Sequence, residues 1–151
     1  MSNNFSYKDL EPAIREKLAS GGRVRIMPNG TSMLPMIRQG LDEVELTATN
    51  GRLKKYDIAF YKRGSGQFVL HRIIKVRKND YVFCGDNQTE IEKGIKETDI
   101  IAAVAAVFRG DKRKNANGFF LRVYGYLMTV HFCKRLSLFA RRAVAKLRKK
   151  R

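Results

Sequence analysis

The stretch that decides the fold is FVLHRIIKVRKNDYVFC, residues 68–84. Two apolar runs, 68–76 and 81–84, lie on either side of the turn-forming pair Asn79-Asp80. Short apolar runs separated by turn signals are typical of antiparallel strands. The same pattern covers residues 23–109, where Asn50-Gly51 and Gly64-Ser65-Gly66 mark turns and further runs are Val24-Arg25-Ile26, Val44-Glu45-Leu46, Ile58-Ala59-Phe60-Tyr61 and Ile100 to Phe108. We therefore predict a mainly β protein built on a compact antiparallel β-domain.

The two ends of the chain predict helices. Near the N-terminus, Leu10, Ile14 and Leu18 recur at helical spacing before Gly21-Gly22, which predicts a short helix from Tyr7 to Ala19. After a linker, a second amphipathic helix is expected at the C-terminus. The expected organisation is an N-terminal helix in residues 1–22, a β-domain in residues 23–110, and a linker with a basic C-terminal helix in residues 111–151.

Charge separates the C-terminal part from the rest of the 151-residue chain. Residues 1–111 hold 18 basic and 14 acidic side chains, whereas residues 112–151 hold 13 basic side chains and none that is acidic. Apolar residues of the segment 132–147 follow helical spacing on one side, with basic residues on the other. An aromatic and apolar face backed by basic residues is typical of helices that lie on anionic membranes. The residues expected at such a surface are Phe119, Phe120, Lys134, Arg135, Arg141 and Arg142.

Two other interpretations of this tail stay open. The helix could instead pack across the β-domain and present its basic face to water. It could also bind nucleic acid, because many basic side chains release counterions from phosphates. The sequence has no stretch of about 20 apolar residues that would span a bilayer and no apolar leader in its first 20 residues. A cytoplasmic protein peripheral to the membrane is the expectation.

A serine and a histidine have the setting that nucleophilic catalysis needs. Ser32 lies in the turn-like run Gly30-Thr31-Ser32-Met33-Leu34-Pro35, and His71 lies within the apolar run described above. A serine hydroxyl is a poor nucleophile at neutral pH unless a base lies within hydrogen-bond reach. Histidine is suited to that work because its ordinary pKa is about 6.5. The alternatives are a serine that only caps a turn and a histidine that only satisfies a strand.

Taken in order, the segments around these residues resemble the signal peptidase I superfamily, which also includes self-cleaving SOS-type repressors. The resemblance covers about residues 27–109. It rests on the nucleophile box at 30–35 with Ile37 and Gly40 after it, Tyr56-Asp57-Ile58-Ala59-Phe60, His71-Arg72-Ile73-Ile74, Gly85-Asp86-Asn87, and Asp99-Ile100-Ile101-Ala102-Ala103-Val104. It implies a signal-peptidase-like β-fold and a serine endopeptidase of the type that uses histidine rather than lysine as base.

The resemblance also implies a third group that orients the imidazole. Asp86 matches the motif and ranks first, Glu92 second and Glu90 third. An alternative for Asp86 is that its side chain only caps its own turn. For the oxyanion and substrate positioning, the resemblance points to the Ser32 backbone N–H with Gly30, Thr31 and Met33 around it.

The expected function is therefore cleavage of a precursor or leader peptide by a Ser32-His71 dyad. The alternative is a catalytically silent binding module that acts through its basic tail on membrane or nucleic acid. A self-cleaving repressor is disfavoured, since the residues before Ser32 are too few for a DNA-binding domain and a cleavable linker. No cofactor is expected. The two cysteines, Cys84 and Cys133, have no metal-type spacing, so no metal is expected either.

Overall fold

The computed structural model describes residues 7–116 and 118–129. They form a mainly antiparallel β-sheet with two helices, which confirms the predicted mainly β class. The elements are α1 (Tyr7–Ala19), β1 (Val24–Ile26), β2 (Asp42–Thr47), β3 (Ile58–Lys62), β4 (Phe68–Val76), β5 (Tyr81–Cys84), β6 (Glu92–Ile95), β7 (Ile100–Arg109), β8 (Lys112–Asn115) and α2 (Phe119–Thr129).

Seven strands follow one another across the sheet in the order β1-β2-β7-β3-β4-β5-β6, and β8 pairs with β7 outside this path. The long strand β7 is the centre of the arrangement. It pairs with β2 on one edge, and with β3 and then β8 along the other. All of these pairs are antiparallel. Short turns join β3 to β4, β4 to β5 and β7 to β8, whereas β2 and β3 pair with β7 from distant parts of the chain.

Strand alternation sorts the apolar side chains onto two faces of the sheet. In β3, Ile58 and Phe60 belong to a large cluster that also contains Ile14 and Leu18 of α1. Their neighbours Ala59 and Tyr61 belong to a second cluster with Tyr81 and Phe83, among others. Because successive side chains of a strand point to opposite faces, a residue's position in β3 or β4 determines which cluster it faces. This rule decides the geometry of the candidate site.

Two strands were absent from the sequence prediction. Strand β6 reads EKGI, and β8 reads KRKN with all four residues exposed, so neither has an apolar run. Strand β8 lies in the segment that the sequence indicates as a linker. The linker assignment is therefore corrected, because Gly110, with φ of +56°, turns the chain and Lys112 pairs with Arg109 of β7. The sheet extends to residue 115.

The predicted C-terminal helix begins as α2, and one side of α2 packs on the β-domain. Tyr124 and Gly125 face that domain, Met128 is buried, and the Tyr126 ring makes an edge contact with Tyr56 at 6.2 Å between centroids. This agrees with the packing alternative for the first part of the tail. The side chains of Phe119 and Phe120, and the residues Lys134, Arg135, Arg141 and Arg142, lie outside what the structure describes. Within residues 7–116 and 118–129, neither helix is long and apolar enough to cross a membrane.

Candidate active site

Ser32 and His71 line the same cleft, although they are 39 positions apart in the chain. The cleft has a volume of about 270 Å³ and receives its walls from the 28–33 segment and from β4. Gly30, Thr31 and Met33, the residues expected around the oxyanion and substrate, also line it. Arg63 and Gln67, from the turn between β3 and β4, line it as well and are joined by a hydrogen bond.

Buried side chains of the large core cluster anchor the serine turn, the turn at residues 30–35 that carries Ser32. Met33 is 4 % exposed and belongs to the large core cluster with Met36 and Ile37. Backbone hydrogen bonds tighten the turn: the Leu34 N–H donates to the Thr31 carbonyl at 3.2 Å and the Ile37 N–H to the Met33 carbonyl at 3.0 Å. Met33 therefore fixes the turn from the core as well as bordering the cleft, while Ser32 stays half-buried at the cleft wall.

The Gly85-Asp86-Asn87 turn clamps the serine turn from the other side. The Asn87 N–H donates to the Ser32 carbonyl at 2.7 Å, and Asn87 Nδ2 donates to the Thr31 carbonyl at 3.1 Å. A side chain at position 85 would place its Cβ 2.7 Å from the Ser32 carbonyl oxygen and 3.1 Å from the Ser32 Cβ. Glycine is required at this point because the two backbones approach too closely for a Cβ.

The carboxylate of Glu92, at the start of β6, fixes the ring of His71 on β4. His71 is 3 % exposed, and its Nδ1 lies 3.1 Å from Glu92 Oε1. The Tyr61 hydroxyl lies 3.3 Å from the same nitrogen. All three side chains are on one face, since Ala59 pairs with His71 and Phe83 with Glu92, and both Ala59 and Phe83 belong to the Tyr61 cluster.

The protonation states follow from this environment. Burial lowers the pKa of His71, with Glu92 acting in the opposite direction, so the ring is neutral at neutral pH. Burial alone would raise the pKa of Glu92, but hydrogen bonds from Arg63 and Tyr61 outweigh it and lower that pKa. An ionised carboxylate can only accept, so the proton between the two groups lies on Nδ1. The lone pair of His71 is then on Nε2, which leaves this nitrogen able to act as a base.

Asp86 does not orient His71, which corrects the order expected from the sequence. Its carboxylate instead accepts two hydrogen bonds from Arg72, at 2.8 Å from Nε and 2.7 Å from Nη2. The reason is geometric: Arg72 follows His71 in β4, so the two side chains point to opposite faces of the sheet. Its hydrogen bonds place Asp86 on the Arg72 face, whereas Glu92 lies on the His71 face. The third candidate, Glu90, is exposed, and its carbonyl accepts a hydrogen bond from Cys84 at 3.0 Å.

Arg63 and Tyr61 are site residues that the sequence analysis missed. The Arg63 guanidinium contacts both carboxylate oxygens of Glu92, with 2.8 Å between Nε and Oε2. Burial raises the pKa of the Tyr61 hydroxyl, as does the adjacent Glu92 charge, so Tyr61 remains a donor. The signal was present in the sequence: Tyr61 lies in the predicted β3, and the two-residue alternation of that strand leads from Tyr61 to Arg63.

No group of three or more His, Cys, Asp or Glu side chains suited to a metal ion occurs within the described ranges. Comparisons of the chain with models of protein families, with curated proteins and with solved structures found no match.

Proposed function

We propose that the protein is a serine endopeptidase of the histidine-dependent, signal-peptidase-like type. The observation that carries the proposal is a single cleft lined both by Ser32 and by a buried, neutral His71 whose Nδ1 faces the Glu92 carboxylate. A nucleophile, a base and a group that orients the base are the three parts of a serine-hydrolase site. The ordered series of motifs that resembles signal peptidases supports the same class.

The proposed acylation step uses these groups directly. His71 Nε2 takes the proton of the Ser32 hydroxyl as Oγ attacks the carbonyl carbon of the scissile peptide bond. The imidazolium that forms is stabilised by Glu92. When the tetrahedral intermediate collapses, the C–N bond breaks and the leaving amine takes the proton from Nε2, so that an ester joins the substrate to Ser32.

Deacylation repeats the sequence with water. His71 removes a proton from a water molecule that attacks the ester carbonyl, and Ser32 leaves with that proton as the carboxyl product forms. The Ser32 backbone N–H is the proposed donor to the oxyanion in both steps; one such donor typically contributes about 3 kcal/mol to the transition state. Gly30 offers no side-chain hydroxyl, and Thr31 is exposed at the rim of the cleft. The proposed substrate is a precursor or leader peptide.

Labelling with a fluorophosphonate probe tests this function, with hydrolysis of a peptide library as the second readout. We expect Ser32→Ala and His71→Ala each to abolish both signals, and the double variant to be no worse than either, because nucleophile and base act as one unit. Ser65→Ala is the matched control, since Ser65 is exposed in the turn between β3 and β4. Labelling that persists in Ser32→Ala would contradict the assignment, and a wild-type protein that neither labels nor cleaves would favour the silent binding module.

The tail is proposed to hold the enzyme at an anionic membrane surface. Val123 and Leu127 of α2 are 41 % and 47 % exposed and lie one helical turn apart, and Tyr126 between them is 55 % exposed although its ring edge contacts Tyr56. The chain that follows, residues 130–151, contains nine basic residues and no acidic ones. An apolar helix face next to such a charge is complementary to anionic lipid headgroups.

Co-sedimentation of the full chain with phosphatidylglycerol vesicles tests the attachment. Binding should weaken as salt rises, because screening acts over roughly 10 Å at 0.1 M salt. Val123→Ser with Leu127→Ser should reduce binding, whereas Leu41→Ser, which alters an exposed apolar residue elsewhere, should not. Equal binding to phosphatidylcholine vesicles would contradict the electrostatic part. Preferential binding to RNA over vesicles would favour the nucleic-acid alternative.

A further inference from the structure

Among the cleft residues, Arg63 is linked to His71 through the side chain of Glu92. It follows β3 at the start of the turn that leads into β4. Its Nε and Nη2 contact the two oxygens of Glu92, and its Nη1 donates to Gln67 Oε1 at 2.5 Å. The guanidinium thus links the β3–β4 turn to the first residue of β6.

The turn itself holds Arg63 in place. The Arg63 N–H donates to the Gln67 carbonyl at 2.8 Å, and the Arg63 carbonyl accepts from the Gly66 N–H at 2.8 Å. With backbone and side chain both fixed, the guanidinium presents a rigid fork to the carboxylate. A planar fork that contacts both oxygens fixes the orientation of a carboxylate, which a single ammonium group does not.

We infer that Arg63 is a positioning residue for catalysis: it fixes the Glu92 carboxylate against His71 Nδ1 and sets the charge balance around the imidazole. The inference rests on the proposed function, since it assigns Arg63 to the same Ser32-His71 site. Neither the motif series nor the pairing of nucleophile and base requires an arginine at this place. Arg63 deepens the mechanism by explaining how a partly exposed Glu92 keeps one orientation.

Four charged or titratable groups near His71 decide the electrostatic consequence. Glu92 on β6 favours the imidazolium most strongly, and Asp86 after β5 favours it weakly. Arg63 after β3 disfavours the imidazolium by charge repulsion. Tyr61 on β3 stays neutral because its pKa is raised. Removing the Arg63 charge therefore raises the pKa of His71, whereas replacing it by another cation does not.

The test compares Arg63→Gln with Arg63→Lys, using the pH profile of kcat/KM for a cleaved peptide. In Arg63→Gln the acidic limb should move to higher pH, and kcat should fall about 10- to 100-fold because Glu92 is no longer held. In Arg63→Lys the limb should stay near that of the wild type while kcat still falls, since the charge remains and the fork is lost. Arg77→Gln, which alters an exposed arginine paired with Asp80, should change neither.

A second readout does not depend on activity. In full-length Ser32→Ala protein, the imidazole pKa of His71 can be followed by NMR, with His71→Ala identifying the resonance beside that of His131. Arg63→Gln should raise this pKa in the Ser32→Ala background. An unchanged pKa together with an unchanged kcat would overturn the role of Arg63 even if Ser32 proves to be the nucleophile. A shifted pKa in a protein whose wild type never cleaves peptides would instead overturn the proposed function while leaving the coupling of Arg63 to His71 in place.

Discussion

At the scale of single residues, the site depends on two consecutive side chains of β4 that use two different acids. His71 meets Glu92 at 3.1 Å, while Arg72 binds Asp86 through two hydrogen bonds. Arg72 and Asp86 are 1 % and 2 % exposed, and Arg72 also donates to the Tyr56 carbonyl at 3.0 Å. The first pair serves the proposed chemistry, and the second ties the Gly85-Asp86-Asn87 turn to the sheet.

Replacing these two acids should therefore have different effects: loss of Asp86 should lower stability, and loss of Glu92 should lower activity. Asp86→Ala leaves Arg72 buried without its carboxylate, which should lower the free energy of unfolding by about 3 to 5 kcal/mol. Glu92→Gln should change stability far less, yet lower kcat by about 10²- to 10⁴-fold, since an amide no longer fixes the Nδ1–H tautomer. Urea unfolding and peptide hydrolysis at neutral pH measure the two effects.

For Glu92→Gln, the direction in which the pH profile of kcat/KM moves is a further prediction. Glu92 favours the imidazolium, so its loss should lower the pKa of His71 further and move the acidic limb of kcat/KM to lower pH. This is the direction opposite to that expected for Arg63→Gln. If Glu92→Gln instead kept normal turnover while Asp86→Asn abolished it in a stable protein, the original ranking of Asp86 would be restored.

At the scale of elements, local sequence patterns determined some boundaries and not others. The bounds of α1, β1, β4 and β5 agree with the prediction because each has its own apolar pattern and a clear turn signal. Strands β6 and β8 lack such a pattern, and they are strands because they pair with β5 and β7. β-structure of this kind depends on partners that are distant in sequence.

The same limit explains what could be predicted of the site. Ser32 and His71 could be named as candidates from their motifs, since each lies within a distinctive local segment. The choice among Asp86, Glu90 and Glu92 depended on which face of the sheet each carboxylate approaches, and that follows only from the pairing of β5 with β6. Arg63 was missed for a similar reason, because its partner Glu92 is 29 positions away.

At the scale of the whole molecule, a chain with a net charge of +17 uses some of its few acids to hold the sheet together. Asp42 of β2 is fully buried and accepts hydrogen bonds from both Arg38 and Arg109. Glu45 of the same strand binds Arg23 and Arg113 in the same way. Each carboxylate binds two arginines from different parts of the chain. The two acids of β2 therefore link this strand to the loop before it, to the chain just before β1, and to β7 and β8.

Stability should consequently fall steeply in acid. Burial alone would raise the pKa of Asp42, but the bonds from Arg38 and Arg109 outweigh it and hold that pKa far below the ordinary value of about 3.9. A carboxylate whose pKa is lowered by folding contributes stability that is present above its unfolded pKa and is lost as the pH falls toward the folded value. The free energy of unfolding should therefore decline from about pH 5 downward.

Asp42→Asn tests this link between one residue and the stability of the whole molecule. It should cost about 3 kcal/mol at neutral pH, because two arginines lose a buried anion, and it should flatten the decline of stability in acid. Urea unfolding of wild type and variant across the acidic range measures both effects. The matched control is Asp80→Asn, since Asp80 forms a single, longer contact of 3.5 Å with Arg77 at the surface; it should leave the acid dependence unchanged. A variant at position 42 that loses stability with the same slope as the wild type would show that other carboxylates, Glu45 foremost, govern the acid response.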